Sequence, residues 1–288
     1  MTHKLTQSLG GLTRIRSTYP SLTPTEKRVA DYCLENPDEI IYLSVTQLGE
    51  RCSVGESTII RFSQAAGFSG YQDLKLNIAL ELSSRNNNVA EGILGVGDSV
   101  ETLIERVTAI NVTALEDTAK LVNPHSLQRA IEKLINAKRV FLYGVGVSGI
   151  TALDAQSKFL RIGLMSYVLS DSHLQIMSSA QVGTGDLCIG ISHSGSTRDT
   201  VDTLRLAKQN GAFTMAITDI VKSPIIEFSD LVLLTGSTED PLQGGSLRSK
   251  IAQVHMVDLL YTGVSLRLGE EATEQKKRVA LSVVDRLY

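Results

Sequence analysis

Cysteine is scarce in this 288-residue chain, and the three present, Cys33, Cys52 and Cys188, form no CxxC pair and no even set. A disulfide framework is thereby excluded, and the thiols read as buried groups in a reducing cytosol. Proline is limited to six residues and charged residues to 20%, against 42% apolar ones, which excludes a disordered chain. No uncharged apolar run approaches the roughly 18 residues of a membrane helix. The opening MTHKLTQSLGGL has no charged start followed by an apolar core, so a cytoplasmic protein without a membrane partner is expected. Basic charge is also missing: the net is −3. Residues 1–85 balance nine Lys and Arg against nine Asp and Glu, and the rest carries the deficit.

The length suits a small domain followed by a medium one. From Thr23 to Leu82 the pattern is helical throughout. Thr23-Pro24 opens one helix, Asn36-Pro37 ends it, and Gly67 ends a third. Residues 84–98, SSRNNNVAEGILGVG, shift to Ser, Asn and Gly and read as a linker between domains over 1–83 and 99–288. Beyond two further helical stretches, strands predicted at 139–143, 166–169, 187–192, 214–218 and 231–234 alternate with helices. That order predicts an all-α domain followed by an α/β domain, a doubly wound parallel five-stranded sheet.

Within the first domain, Val45, Leu48 and Gly49 lead into a tight turn at Ser53 to Gly55, and Glu56 to Ala65 reads as a second helix. Ile59, Ile60 and Phe62 are assigned to its core face, and Ser57, Thr58 and Arg61 to its outer face. An arginine there can take guanine with two hydrogen bonds, as in a helix-turn-helix. An ordinary helical hairpin with Arg61 in solvent gives the same pattern. Residues 22–82, through LTPTEKRVADY, LSVTQLGERCSVGESTIIRF and GFSGYQDLK, resemble the amino-terminal domain of the RpiR/MurR family of bacterial transcriptional regulators. The resemblance implies a recognition helix around Thr58, Ile59 and Arg61, with Lys75 near the phosphate backbone. Gly55 stands where the family commonly has Ser, and a glycine offers no hydroxyl, so Ser53 or Ser57 takes that place. Ser53, Glu56, Ser57, Thr58, Arg61 and Lys75 form the expected DNA-contacting set.

In the second domain, the run ISHSGSTRDT crowds Ser192, Ser194, Ser196 and Thr197 around Gly195, directly after an apolar strand and before a helix. Hydroxyls, free backbone N–H groups and the positive end of a helix dipole there converge on one point, which suits a phosphate. Residues 144–149, GVGVSG, match the GxGxxG spacing of a dinucleotide site, with Asp171 placed for a ribose. A redox-sensing repressor binding NAD(H) is thus one reading. A sugar-phosphate isomerase is another, with His173, His255 and Glu239 as acid-base candidates.

Residues from about Leu127 to Leu268, through YGVGVSG, DSHLQ, DLCIGISHSGSTRDT, AITD and SPIIEFSDLVL, resemble a sugar isomerase (SIS) domain, in which the two loops jointly hold a phosphorylated sugar. The resemblance implies that Ser192, Ser194 and Thr197 hold the phosphate and that Ser148 reaches it or a sugar hydroxyl. His173 and Lys250 join as secondary candidates, and Gly195, Ser196 and His193 as loop members, His193 through its backbone N–H rather than its ring. A DNA reader placed in front favours sensing over turnover. The expectation is a regulator of carbohydrate metabolism, not an enzyme, that needs no cofactor or metal. Its expected partners are operator DNA, as an inverted repeat, a phosphorylated sugar effector, and further copies of itself as a dimer or tetramer.

Overall fold

The computed structural model describes residues 10–85, 97–237 and 247–284. They fall into two compact units divided between Ile110 and Asn111. That point lies inside one helix, Val100–Leu121, whereas most of the linker expected at 84–98 lies outside the described residues.

Unit one is helical: α1 (Gly11–Thr18), α2 (Pro24–Glu35), α3 (Pro37–Ile40), α4 (Val45–Cys52), α5 (Glu56–Ala65) and α6 (Tyr71–Arg85), followed by the start of α7 (Val100–Leu121). Two capping boxes set its starts. Thr23 pairs reciprocally with Glu26 ahead of α2, and Ser44 with Gln47 ahead of α4, so the first-turn N–H groups find partners without water. Ile15, Val29, Cys33, Ile40, Leu48, Ile59, Phe62, Leu74 and Ile78 are fully buried in one core.

Unit two alternates strand and helix: α8 (Pro124–Asn136), β1 (Arg139–Tyr143), α9 (Val147–Arg161), β2 (Ser166–Val168), α10 (Ser172–Ser179), β3 (Asp186–Ile191), α11 (Arg198–Gln209), β4 (Phe213–Thr218), α12 (Pro224–Glu227), β5 (Leu231–Leu234), α13 (Leu247–Leu268) and α14 (Glu270–Val283). The five strands are all parallel in the order β2-β1-β3-β4-β5, as expected of a doubly wound sheet. Alternate residues of β1 bury opposite ways. Val140 and Leu142 pack with α8, α9 and α13, while Phe141 and Tyr143 pack on the α11 side. Gly190 lets α11 close on β3, because a Cβ there would meet Ile225, Leu204 and Thr200 at 3.1–3.4 Å. The order reverses between β1 and β3, so their carboxyl ends flank the crevice where ligands of such sheets bind. No helix among the described residues is long and apolar enough to cross a membrane.

Candidate functional site

Both glycine and serine loops stand at that crevice, one after β1 and one after β3. Gly144 and Gly149 are demanded by the first turn itself, since a Cβ on Gly144 would lie 2.9 Å from the Ser148 carbonyl oxygen. Gly146, at φ +58°, enters α9 as its N-cap with open space before it. In the second loop Gly195 has φ +60°, and a Cβ there would strike Ser223. Its carbonyl accepts from Ile225 N at 2.9 Å, so the first turn of α12 braces the loop.

The hydroxyls meet. Ser192 and Thr197 Oγ atoms lie 3.1 Å apart, and Ser196 N donates to Ser194 Oγ at 3.3 Å. Thr197 is the N-cap residue of α11, yet its side chain makes no capping bond, and Gly146 has none to offer α9. The neighbouring helices α8 and α10 are capped by the side chains of Asn123 and Asp171. Two helix N-termini after β1 and β3 thus carry no side-chain cap, and an uncapped helix N-terminus favours an anion. Ser148 is buried and accepts from Gln253 Nε2 at 3.1 Å, while Gln253 Oε1 accepts from Thr151.

The secondary candidates stand elsewhere. His173 is exposed and shares a surface cleft with Asp199, Asp202 and Arg205, and Lys250 is exposed on α13. The ring of His193 lies 3.1 Å from Asp219 through Nδ1, so the ring is engaged as well as the backbone. Asp171 spends its carboxylate on Leu174 N at 2.9 Å, which accounts for that acid without a ribose. His255 is half-buried on α13, and Glu239 lies outside the described residues. Sequence reasoning missed Gln253 and Asp219. Gln253 had a signal: it interrupts the buried stripe of Ala252, Met256, Val257 and Leu260, where an amide requires a partner. Asp219 closes the run AITD, which carries part of the resemblance, but nothing in that run points to His193, Thr235 and Ser237 as its partners.

In unit one, α4 and α5 form the expected helix-turn-helix. Ser53 takes the left-handed conformation at φ 53°, and Val54 N donates to Gly49 O at 2.8 Å. Gly49 is required there, because its Cβ would lie 2.8 Å from Val54 O. Two assignments on α5 are corrected. Thr58 is buried at 9% exposure and Ile60 is exposed at 43%, because the core takes Thr58, Ile59, Phe62 and Ser63 and turns Ser57, Ile60, Arg61 and Gln64 outward. Glu56 accepts from Thr46 and so ties α4 to α5. Ser53, Ser57 and Arg61 are exposed. Lys75 Nζ donates to Leu43 O at 2.9 Å beside the N-terminus of α4, and burial depresses its pKa to about 8.

Comparison with known proteins matches these two units separately. Residues 9–85 match the helix-turn-helix domain of the rpiR family, and residues 133–263 match the SIS domain. An HTH-type transcriptional regulator of Haemophilus influenzae, itself uncharacterized, is 36% identical over 95% of this chain and 96% of its own length. HexR of Pseudomonas aeruginosa, an HTH-type transcriptional regulator, is 33% identical over 96% of each chain. The structure of the Vibrio vulnificus NanR protein complexed with ManNAc-6P superposes with a TM-score of 0.84 at 28% identity, covering 96% of this chain and 99% of that one. Since the likeness runs through both units in one order and over nearly the full length, the chain belongs to the RpiR family of helix-turn-helix transcriptional regulators that carry a SIS domain.

Proposed function

We propose that this regulator binds operator DNA through α4 and α5 and that a phosphorylated sugar or sugar acid, held between the two loops, modulates that binding. The observation that carries the effector half is the meeting of the Ser192 and Thr197 hydroxyls, with Ser194 in the same loop, at the uncapped N-terminus of α11, while Ser148 stands in the first turn of α9 after the adjacent strand β1. Dianionic phosphate matches this donor set. The ligand named for the NanR structure is a sugar phosphate, which supports the same class here. Sensing requires binding alone, so no turnover is assigned. The DNA half rests on the outward row of Ser57, Ile60, Arg61 and Gln64. Because residues 1–85 are neutral overall, one copy gains little from counterion release, and two copies on an inverted repeat supply the affinity.

A thermal-shift screen of sugar phosphates against their unphosphorylated sugars and NAD(H) tests the effector class. A ligand at 100 times its Kd adds about 2.7 kcal/mol of stability. Stabilisation by sugar phosphates alone is expected; stabilisation by NADH alone would move the site to the dinucleotide class.

A further inference from the structure

We propose that Asp219 is a positioning residue of the phosphate cradle, acting through His193; this rests on the reading of residues 192–197 as that cradle. Asp219 follows β4 directly, and its side chain is 3% exposed. It accepts from Thr235 Oγ1 at 2.5 Å and from Ser237 Oγ, both just beyond β5, and faces His193 Nδ1 at 3.1 Å. Its backbone N–H donates to the His193 carbonyl at 3.1 Å, and Thr218 Oγ1 donates to the same oxygen at 3.1 Å. His193 sits between Ser192 and Ser194. The residue flanked by two phosphate-facing hydroxyls is therefore gripped at its carbonyl and at its ring by the end of the neighbouring strand.

Two physical consequences follow from this grip. A buried carboxylate is tolerated only with its oxygens engaged, and here two hydroxyls and an imidazole N–H supply that engagement. The tautomer is fixed by the same contact, because a carboxylate at Nδ1 demands a proton on that nitrogen. A carboxylate beside an anion site would repel the ligand if it pointed inward. With its oxygens taken up by His193, Thr235 and Ser237, the Asp219 carboxylate serves to fix the loop's path. Outer partners that orient ligating groups commonly matter nearly as much as the ligating groups themselves.

The test is calorimetric titration of inorganic phosphate, and of ManNAc-6P as a sugar phosphate, into the full-length wild type, Asp219→Asn, His193→Ala and the double variant. Each single change is expected to weaken both ligands roughly tenfold, and the double variant to be no more than about twofold weaker than either single one. Losses that multiply in the double variant would make Asp219 a prop of the β5 end and overturn the proposal, as would wild-type affinity in Asp219→Asn. A wild type that binds neither ligand would overturn the cradle reading and this inference with it. Should Asp219→Asn fail to fold, nitrogen-15 spectra of the wild-type His193 ring decide: a proton on Nδ1 is expected, and a bare Nδ1 in the folded protein overturns the proposal.

Discussion

Gln253 Nε2 donates to Ser148 Oγ at 3.1 Å, joining α13 to the first turn of α9 across 105 residues. The serine oxygen accepts this bond, so its hydroxyl proton is not used in it. Gln253→Leu should leave the buried hydroxyls of Ser148 and Thr151 without their amide partner. A loss of about 1–3 kcal/mol is expected in urea unfolding, together with weaker sugar-phosphate binding. Full stability with weakened binding would assign the amide to the ligand alone.

Arg61 and Lys75 should differ in kind. Arg61→Ala is expected to cost roughly 1–3 kcal/mol of operator affinity and to relax sequence preference, whereas Lys75→Met should leave the salt slope and the sequence preference unchanged, because that ammonium is spent on Leu43 O rather than left for a phosphate. Binding titrations over several operators and salt concentrations separate the two. Equal, sequence-blind losses would remove α5 from its reading role.

Ile60 is 43% exposed beside Arg61, so with α5 in the major groove it is expected to meet a thymine methyl group. Replacing operator thymines with deoxyuridine should weaken the wild type by about 1 kcal/mol at one position, the value of one buried methyl-sized group. Ile60→Ala should be indifferent to that replacement. A wild type equally indifferent at every thymine would refute the contact.

Ser194→Ala is expected to lower sugar-phosphate affinity by about 1.5–3 kcal/mol, the range for a hydrogen bond to a charged group, and to leave ligand-free operator binding unchanged. Linkage is reciprocal, so whatever factor the effector applies to operator affinity, commonly about 5- to 150-fold, the operator applies to effector affinity. Operator titrations at saturating effector check both statements. A variant that still responds fully would exclude Ser194 from the cradle.

Lys75 sets a pH dependence. Its folded pKa, about 8, lies below the ordinary 10.5 because burial disfavours the ammonium. Between those values the unfolded chain binds more protons, so stability rises with pH from about 8 towards 10.5. Lys75→Met should lack this increment when its urea midpoints are subtracted from wild-type values over the same range. Tyr71, whose pKa burial raises, acts the opposite way at higher pH and cancels in that subtraction.

The α/β unit was legible because each strand is a short apolar run between glycines and polar turns, and β3 is buried along its whole length. The hydroxyl run 192–197 was legible for the same local reason. Less local features escaped. Helix α1 presents few apolar residues, chiefly Leu12 and Ile15, and is anchored by Leu12 N on Glu81 Oε2 at 2.7 Å, a partner 69 residues away. On α5 the outward face was misread because Ile60 is as apolar as Ile59, and only packing against the other helices decides which is covered. Asp219 escaped because its partners come from the ends of two other strands, β3 and β5.

The three thiols carry a practical consequence. Cys33 and Cys188 are fully enclosed and Cys52 nearly so, and burial pushes Cys188 to about 12 and Cys52 to about 11, while Cys33 also stands well above its usual value. Little thiolate exists on the folded protein at neutral pH, so maleimides and iodoacetamide find no ready nucleophile. A single cysteine introduced on an exposed helix position would be the one fast-reacting site. The sequence is thus already a silent background for attaching a fluorophore or spin label, without first removing any residue.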